Sequence, residues 1–534
     1  MIKQCYSEIH FYRLGPSDLT TRAASITSLI LAGLFFVPRR ALRLQLGGSR
    51  DLLRVEGASE DIISKIPKYP PSILCQFRLD PVFHQFICCT KCHCIYPYKP
   101  GDTAGTRFCC TYQRTPDSIP CNTPLWKEHD LAGGLVRSVP SRKYLQQDLK
   151  YWLGRLLSRN GIEDLLDQSR SVSPVDPDTP IPDIWFSKIF SDLRDASDCP
   201  FFPGPEEEGR LVFSLSVDSF NPFHMKTAKQ KASSTGIWLV LLNLPPQLRY
   251  LPENVFLVGV IPGPSKPATD EINHYLKPLI KSLLEFWDPG VFFSRTCNNR
   301  LGKLFKAMLV PLVADMLGAR QILGLPGVAT AHYFCTFCDL DIDDLDILDV
   351  AEWPAKNTDH IRYIAHMYRD APTESEQHEL FQAYGLRWSA LLDLPYWNPV
   401  LYAIIDSMHA LDLGLFQHHC RKLFQIDITV PGGDGFAEPP PVKDKRSSDI
   451  SSLVDCIQCI RRNEVDMLGQ LVKYHRRVLY TICVDNDIRE PGKTIIAGTK
   501  WVLARSIYNW VRPSIVIRSV FTQFFLSARK RPRP

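Results

Sequence analysis

The sequence predicts an α/β fold, on three observations. First, "RLVFSLSVDSF", "TGIWLVLLNL" and "NVFLVGVIPG" are strand-like apolar runs bounded by Pro, Asn or Gly. Second, a helix-like stretch from Asp270 to Trp287 and the apolar "KLFKAMLVPLVADM" follow them within Arg210–Cys338. Third, 534 residues at 45% hydrophobic and 22% charged give ample chain for a core, which excludes global disorder and a disulfide-stapled mini-protein. The net charge of +5 is compatible with nucleic-acid binding without requiring it.

Residues 1–74 mix apolar and basic side chains without clean periodicity and carry no assigned role. Their apolar run Ala23–Val37 is shorter than the roughly 20 residues a spanning helix needs, so a buried helix is expected and no membrane partner. Residues 75–167 hold a cysteine-rich module and then helices, with Leu145, Leu149, Trp152, Leu153, Leu156 and Leu157 at helical spacing before Asn160-Gly161 stops the run. The Pro- and acid-rich stretch 168–208 reads as a linker, 209–338 as the α/β core, and 339–429 as mostly helical. A second linker at 430–463 precedes a helical hairpin at 464–512, and 513–534 form a basic tail.

Seven of the 17 cysteines fall between Cys88 and Cys121. Clustered C-x-x-C pairs in a long chain point to a metal and a reducing compartment rather than to disulfides. Cys89 and Cys92 with Cys110 and Cys121 are candidate ligands of one structural Zn²⁺, because four thiolates suit its tetrahedral preference. Cys88, Cys94, Cys109 and His93 compete for the same role, and a set of buried free thiols is the plainer reading.

Asp218 ends one apolar run and Asp315 ends another. Carboxylates at strand ends can bridge two Mg²⁺ or Mn²⁺ ions for phosphoryl transfer, although such aspartates more often cap helices or turns. On neighbouring strands the two carboxylates should lie about 4–7 Å apart.

Around these acids "VDSFNPF", "LVADMLGARQILG", "HYFCTFC", "LPYWNP" and "DSMHALDLGLFQHHCRKLF" occur in one order, after "CCTKCHCIYPY" and "YWLGRLLSRNGIEDLLD". That series resembles the transposases of CACTA-class (En/Spm-type) DNA transposons, particularly their fungal, transposon-derived members. The resemblance implies a ribonuclease H-like core with a helical insertion, a small zinc-ribbon-like module before it, and a D-D-E metal-binding triad. It implies Asp218 and Asp315 as the first two acids. It also matches Cys335-x-x-Cys338 to the family's C-x-x-C and Asp406-x-x-His409 to its D-x-x-H, both in the insertion. Cys335, Cys338 and His409 are then candidate zinc ligands with Asp406 as ligand or supporting partner, while packed thiols and a histidine bonded to a helix carbonyl are the bland alternative. The family's third acid, a glutamate on a downstream helix, has no counterpart. Glu438 sits against a triple proline, and Glu464 and Glu490 lie in or beside the next module. The chain is expected to be truncated or degenerate before its catalytic set is complete.

In the C-terminal module, Gly498-Thr499-Lys500 followed by Leu503, Ile507 and Trp510 is similar to SAP-type DNA-binding motifs. Lys500, Arg505 and Arg512 are candidate phosphate contacts, and the tail Arg529–Arg533 suits nuclear import. Cys456-x-x-Cys459 falls on a helical pattern and reads as packing. The expected protein is nuclear and transposase-like, catalytically incomplete, a binder of transposon-end or non-specific duplex DNA, and a candidate homo-oligomer. An active D-D-E transposase and a zinc-stabilised interaction protein without a nucleic-acid role are the alternatives.

Overall fold

The structure, a computed structural model, describes residues 3–12, 16, 18–33, 35, 37–102, 108–130, 136–171, 183–221, 233–327, 334–340, 347–424, 445–462, 466–489 and 500–511. They divide into two compact units between Ile426 and Asp427. The first unit is mixed α/β around one large sheet, and the second is helical.

In the first unit β1 (Lys3–Cys5) precedes four helices: α1 (Leu19–Gly33), α2 (Arg39–Val55), α3 (Glu60–Lys65) and α4 (Pro70–Gln76). Buried Leu42 and Leu46 of α2, with partly buried Leu53, share one helical face. The first 74 residues therefore hold a helical pattern that their mixed composition hides. α1 differs from the expected buried apolar helix: it buries Thr21, Ser25 and Ser28, whereas Leu19, Ile26 and Ile30 are exposed. Small side chains on its inner face allow close approach to α2, where Ser28 Oγ donates to the Gln45 side chain. Among the described residues no helix is long and apolar enough to cross a membrane.

The cysteine-rich region is a β module built from β2 (Phe83–Cys88), β3 (Ile95–Pro97), β4 (Trp126–Asp130), β5 (Val136–Pro140) and β6 (Lys143–Gln147). α5 (Leu149–Leu157) and α6 (Ile162–Gln168) follow. Leu145, grouped with the helix by spacing, lies exposed on β6 instead. The helix begins only after Asp148, whose Oδ1 accepts the Tyr151 N–H at 2.8 Å and caps it. Gly161, at φ +77°, makes the turn between α5 and α6.

From Asp183 onward the expected linker is packed rather than extended. Trp185, Phe190 on α7 (Lys188–Ser191), Leu193 and Phe201 bury against Val212, Val240, Met308 and Val310. The aromatic surface of this segment needs a core, and that outweighs its Pro-rich turn chemistry.

The central elements are β7 (Glu208–Phe220), β8 (Ser234–Leu241), α8 (Pro246–Arg249), β9 (Val255–Ile261), α9 (Ile272–Trp287), β10 (Val291–Phe293), β11 (Lys303–Ala314) and α10 (Met316–Leu323). α11 (Thr358–Asp370), α12 (Glu374–Tyr384) and β12 (Ala403–Ile405) complete the unit. The ten-stranded sheet runs β1-β10-β11-β7-β8-β9-β6-β2-β3, with β12 also paired to β11. β7, β8 and β9 are antiparallel neighbours, whereas β7–β11 and β11–β12 are parallel. Leu211, Phe213, Leu215 and Val217 alternate along β7 into the main core, where Tyr275, Leu276, Leu279 and Leu283 of α9 meet them. Val212 faces the opposite way, into the aromatic cluster. Both faces of the central strands are thus covered. The helical segment expected over 339–429 is interrupted by β12, which returns to the sheet edge.

The second unit holds α13 (Lys445–Arg462), α14 (Met467–Leu471), α15 (Arg476–Asp485) and α16 (Lys500–Val511). Cys456, Cys459 and Ile460 of α13 bury with Met467, Leu479, Cys483, Leu503 and Ile507. What reads as a linker plus hairpin is one helical cluster, since α13 supplies apolar surface that a two-helix hairpin alone would leave exposed.

Candidate functional site

The Sγ atoms of Cys89, Cys92, Cys110 and Cys121 all lie within 4.8 Å of one another, and this group could hold a metal ion. Two local turns bring them together. The Lys91 N–H donates to Cys89 Sγ at 3.4 Å, and His93, at φ +56°, turns the chain so that the Cys89 N–H reaches the Cys94 carbonyl. On the other side Asn122, at φ +51°, closes a hairpin in which the Cys110 N–H meets Thr123 O and the Asn122 N–H meets Cys110 O. The thiols face one another in pairs, Cys89–Cys121 at 3.7 Å and Cys92–Cys110 at 3.5 Å. Hydrogen bonds from the Cys92 thiol and from the Cys92 and Lys91 N–H groups hold the Cys89 thiol well below its ordinary pKa, against the effect of burial. Two of the competing residues have other partners. Cys88 is buried in the main core, and His93 Nδ1 bonds the Tyr275 hydroxyl at 3.0 Å.

Asp218 lies on β7 and Asp315 directly follows β11. In the parallel pairing Val313 is opposite Ser216, so continuing the register sets Asp315 opposite Asp218. On the other edge of β11 Ala314 is opposite Ile405, which sets Asp406 opposite Asp315. Three aspartates therefore stand on one level of three neighbouring parallel strands, Asp218 two residues before the end of β7 and Asp315 and Asp406 just past β11 and β12, with adjacent strands about 5 Å apart. Each also has a local partner. Asp218 Oδ1 accepts the Ser219 N–H at 2.6 Å, and Asp315 Oδ1 caps α10 through the Gly318 N–H at 2.5 Å. Asp406 Oδ1 takes the Met408 N–H at 3.0 Å, and its Oδ2 meets His409 Nδ1 at 2.7 Å. The hydrogen bond to Asp406 holds the His409 imidazole above its ordinary pKa, with the negative charges of Asp406, Asp315 and Asp218 adding to it.

Cys335 and Cys338 form a second thiol turn, in which Cys335 Sγ accepts the Phe337 and Cys338 N–H groups at 3.4 Å. Burial raises the Cys335 thiol, but those N–H groups and the Cys338 thiol outweigh it and leave it lowered. Thr336 and Phe337 of this turn line a cavity of about 270 Å³ together with Met316, Ile405, Asp406 and His409. The C-x-x-C and D-x-x-H motifs thus border one space. Among the described residues, however, neither these motifs nor the three aspartates form a group whose ligand atoms all lie within 4.8 Å; the four clustered thiols do. Glu438, Glu464 and Glu490 lie outside the described residues.

Sequence reasoning missed a node that ties the thiol module to α11, α12 and the start of α9. Arg114 donates to Asp270 at 2.7 Å, to the Tyr368 hydroxyl at 3.2 Å and to Gln377 at 3.2 Å. These partners are far apart in sequence, so no local pattern announces them. In the second unit Lys500 opens α16 and Arg505 is exposed on it, while Arg512 lies outside the described residues.

A mixed α/β sheet with acidic strand ends and a four-thiol cluster is the class of protein these sites define. Residues 200–376, about a third of the chain, match the model of the transposase family tnp2, which supports a transposase family for this protein. No curated protein matches the chain.

Proposed function

We propose that this chain is a transposase-like protein of the CACTA class that acts on DNA in the nucleus through a ribonuclease H-like core. The observation that carries the reading is the alignment of Asp218, Asp315 and Asp406 across β7, β11 and β12, behind the antiparallel run β7-β8-β9. Three carboxylates suit hard divalent cations such as Mg²⁺ or Mn²⁺, with Asp406 supplying the third. Divalent ions bound there would activate an attacking hydroxyl and stabilise the leaving oxygen of a phosphodiester. Within the protein, backbone pairing sets the spacing of the three acids. His409 fixes the orientation of the Asp406 carboxylate through the bond to Oδ2. The four clustered thiols suit a closed structural Zn²⁺ site, which stabilises the module and leaves no open position for catalysis.

A second reading, a catalytically incomplete DNA-binding protein, is favoured by the local bonds each aspartate already makes, above all the cap that Asp315 provides to α10. Mn²⁺ binding separates the two. Asp218→Asn, Asp315→Asn and Asp406→Asn should each weaken Mn²⁺ binding. Each should also cut Mn²⁺-dependent cleavage of duplex carrying transposon ends by at least about 10²–10³. An Asp406→Asn protein that binds Mn²⁺ and cleaves as well as wild type would remove Asp406 from the site. A wild type that binds neither Mn²⁺ nor Mg²⁺ would favour the second reading.

A further inference from the structure

We propose that α2 is a docking surface for the sugar-phosphate backbone of duplex DNA, with Arg39, Arg40 and Arg43 as the residues that meet it. This rests on the DNA-acting reading above and adds to it a surface in the N-terminal region, away from the acidic strand ends in sequence.

α2 carries five arginines against one aspartate, in a chain whose net charge is +5. At 3.6 residues per turn, positions 39, 43, 50 and 54 fall within about 60° of one another and span about 22 Å of helix. Leu42 and Leu46 are buried beside this stripe, so the arginines flank the packed face. Arg54 is held by Asp51 and Glu60, each at 2.9 Å. Arg39, Arg40 and Arg43 are exposed and make no ion pair among the described residues, and Arg43 lies over the Tyr69 ring at 5.0 Å. Arg39 and Arg43, one turn and about 6 Å apart, with Arg40 beside them, present cations to the phosphates of a duplex backbone.

Three features of α2 work against helix stability and favour this use. Its first turn contains no acidic residue but two arginines, which oppose the helix dipole. Its N-cap, Pro38, makes no side-chain hydrogen bond, so backbone N–H groups stay available to an anion. Gly47 and Gly48 lie inside the helix with nothing within 4 Å of an added Cβ, so no packing accounts for them. Gly47, which borders the arginine stripe, admits a close-lying backbone there. Local choices that disagree with the local fold mark functional surface.

The test is fluorescence anisotropy of a labelled random-sequence duplex with the full chain, between about 50 and 200 mM salt. The triple variant Arg39→Gln/Arg40→Gln/Arg43→Gln should flatten the slope of log K against log[salt] by about 2.7, at roughly 0.9 for each phosphate no longer neutralised. The corresponding Arg→Lys triple variant should keep the slope, because a lysine neutralises a phosphate equally. An unchanged slope in the Gln variant overturns the proposal and leaves the DNA-acting reading standing. So does a Gln variant that loses binding to anionic phospholipid vesicles but not to duplex, which would make α2 a membrane-surface helix. A wild type that binds no duplex overturns both. Loss of Mn²⁺ binding at the aspartates with duplex binding intact overturns only the catalytic reading.

Discussion

Replacing Cys92 with serine should unfold the thiol module while leaving the β7, β8 and β11 part of the sheet in place. The core of that module is small: Ile87, Tyr96, Leu125 and Trp126 bury with Cys89 and Cys110. Four apolar side chains contribute on the order of 6–12 kcal/mol, at about 1.5–3 kcal/mol each. A four-thiolate zinc site contributes about 10–16 kcal/mol in small zinc-folded peptides, and removing one ligand forfeits much of it. The ion pair of Arg114 with Asp270 is partly exposed on both sides and offers about 1 kcal/mol at most. Amide hydrogen exchange locates the damage. The N–H groups of Cys110, Asn122, Cys121 and Leu125, bonded to Thr123 O, Cys110 O, Tyr112 O and Phe108 O, should lose protection in Cys92→Ser or after chelation. Those joining β7 to β8 should not. Zinc content, measured on the same samples under reducing conditions, should fall from about one ion to none. Wild-type protein that holds no zinc yet protects these four amides fully would refute the metal-dependent account of the module.

Two further outcomes test the packing around it. His274 is 9% exposed, and burial, aided by Lys277, lowers its pKa from 6.5 to about 4. Between those values the unfolded chain binds a proton that the folded one refuses, so stability should fall as pH drops from 6.5 to 4, by roughly 3 kcal/mol from this residue. Urea titrations should show a shallower pH dependence for His274→Gln, and an identical one would remove His274 as a source. At Gly259 an added Cβ would lie 2.6 Å from the Leu145 carbonyl and 2.7 Å from the Tyr144 hydroxyl, where β9 meets β6. Gly259→Ala should cost at least about 1–3 kcal/mol, whereas Gly48→Ala, with open space around it, should gain about 0.5–1 kcal/mol. Equal urea midpoints for the two variants would contradict the geometry.

The strands β7, β8 and β9 were legible because burial on both faces leaves near-continuous apolar runs with sharp polar ends. Cys89 and Cys92 were legible for a different reason: a C-x-x-C turn is local. Three readings failed where the deciding contacts are not local. Leu145 fits helical spacing, yet pairing with β2 makes it strand. Trp185, Phe190 and Phe201 lie among prolines and acids that look like a linker until Val212 and Met308 meet them. The helical face of α2 is masked by its arginines and glycines. The position of Asp406 carries no periodic signal either, since a three-residue strand inside a helical stretch leaves none, and its place beside Asp315 comes from pairing alone.

That pairing is itself constrained by the edge of β11. β10 covers its first part, opposite Lys303–Phe305, and β12 covers its last, opposite Leu312–Ala314. Between them the register against β7 shifts from Leu309 to Leu312, across Pro311, which has no N–H to offer. The N–H groups bordering this break are met by one segment: Leu309 donates to the Tyr396 hydroxyl at 2.9 Å, and Leu312 to the Tyr402 carbonyl at 2.7 Å. Tyr396 packs against Trp287 at the C-terminal end of α9, so the segment is anchored before it reaches the strand. The chain that leaves β11 through α10 must therefore return along 396–405 to satisfy buried backbone donors. Once it does, Asp406 has one position open to it, opposite Asp315. The position of Asp406 thus follows from the backbone hydrogen-bonding needs of a broken sheet edge, and His409 orients its carboxylate.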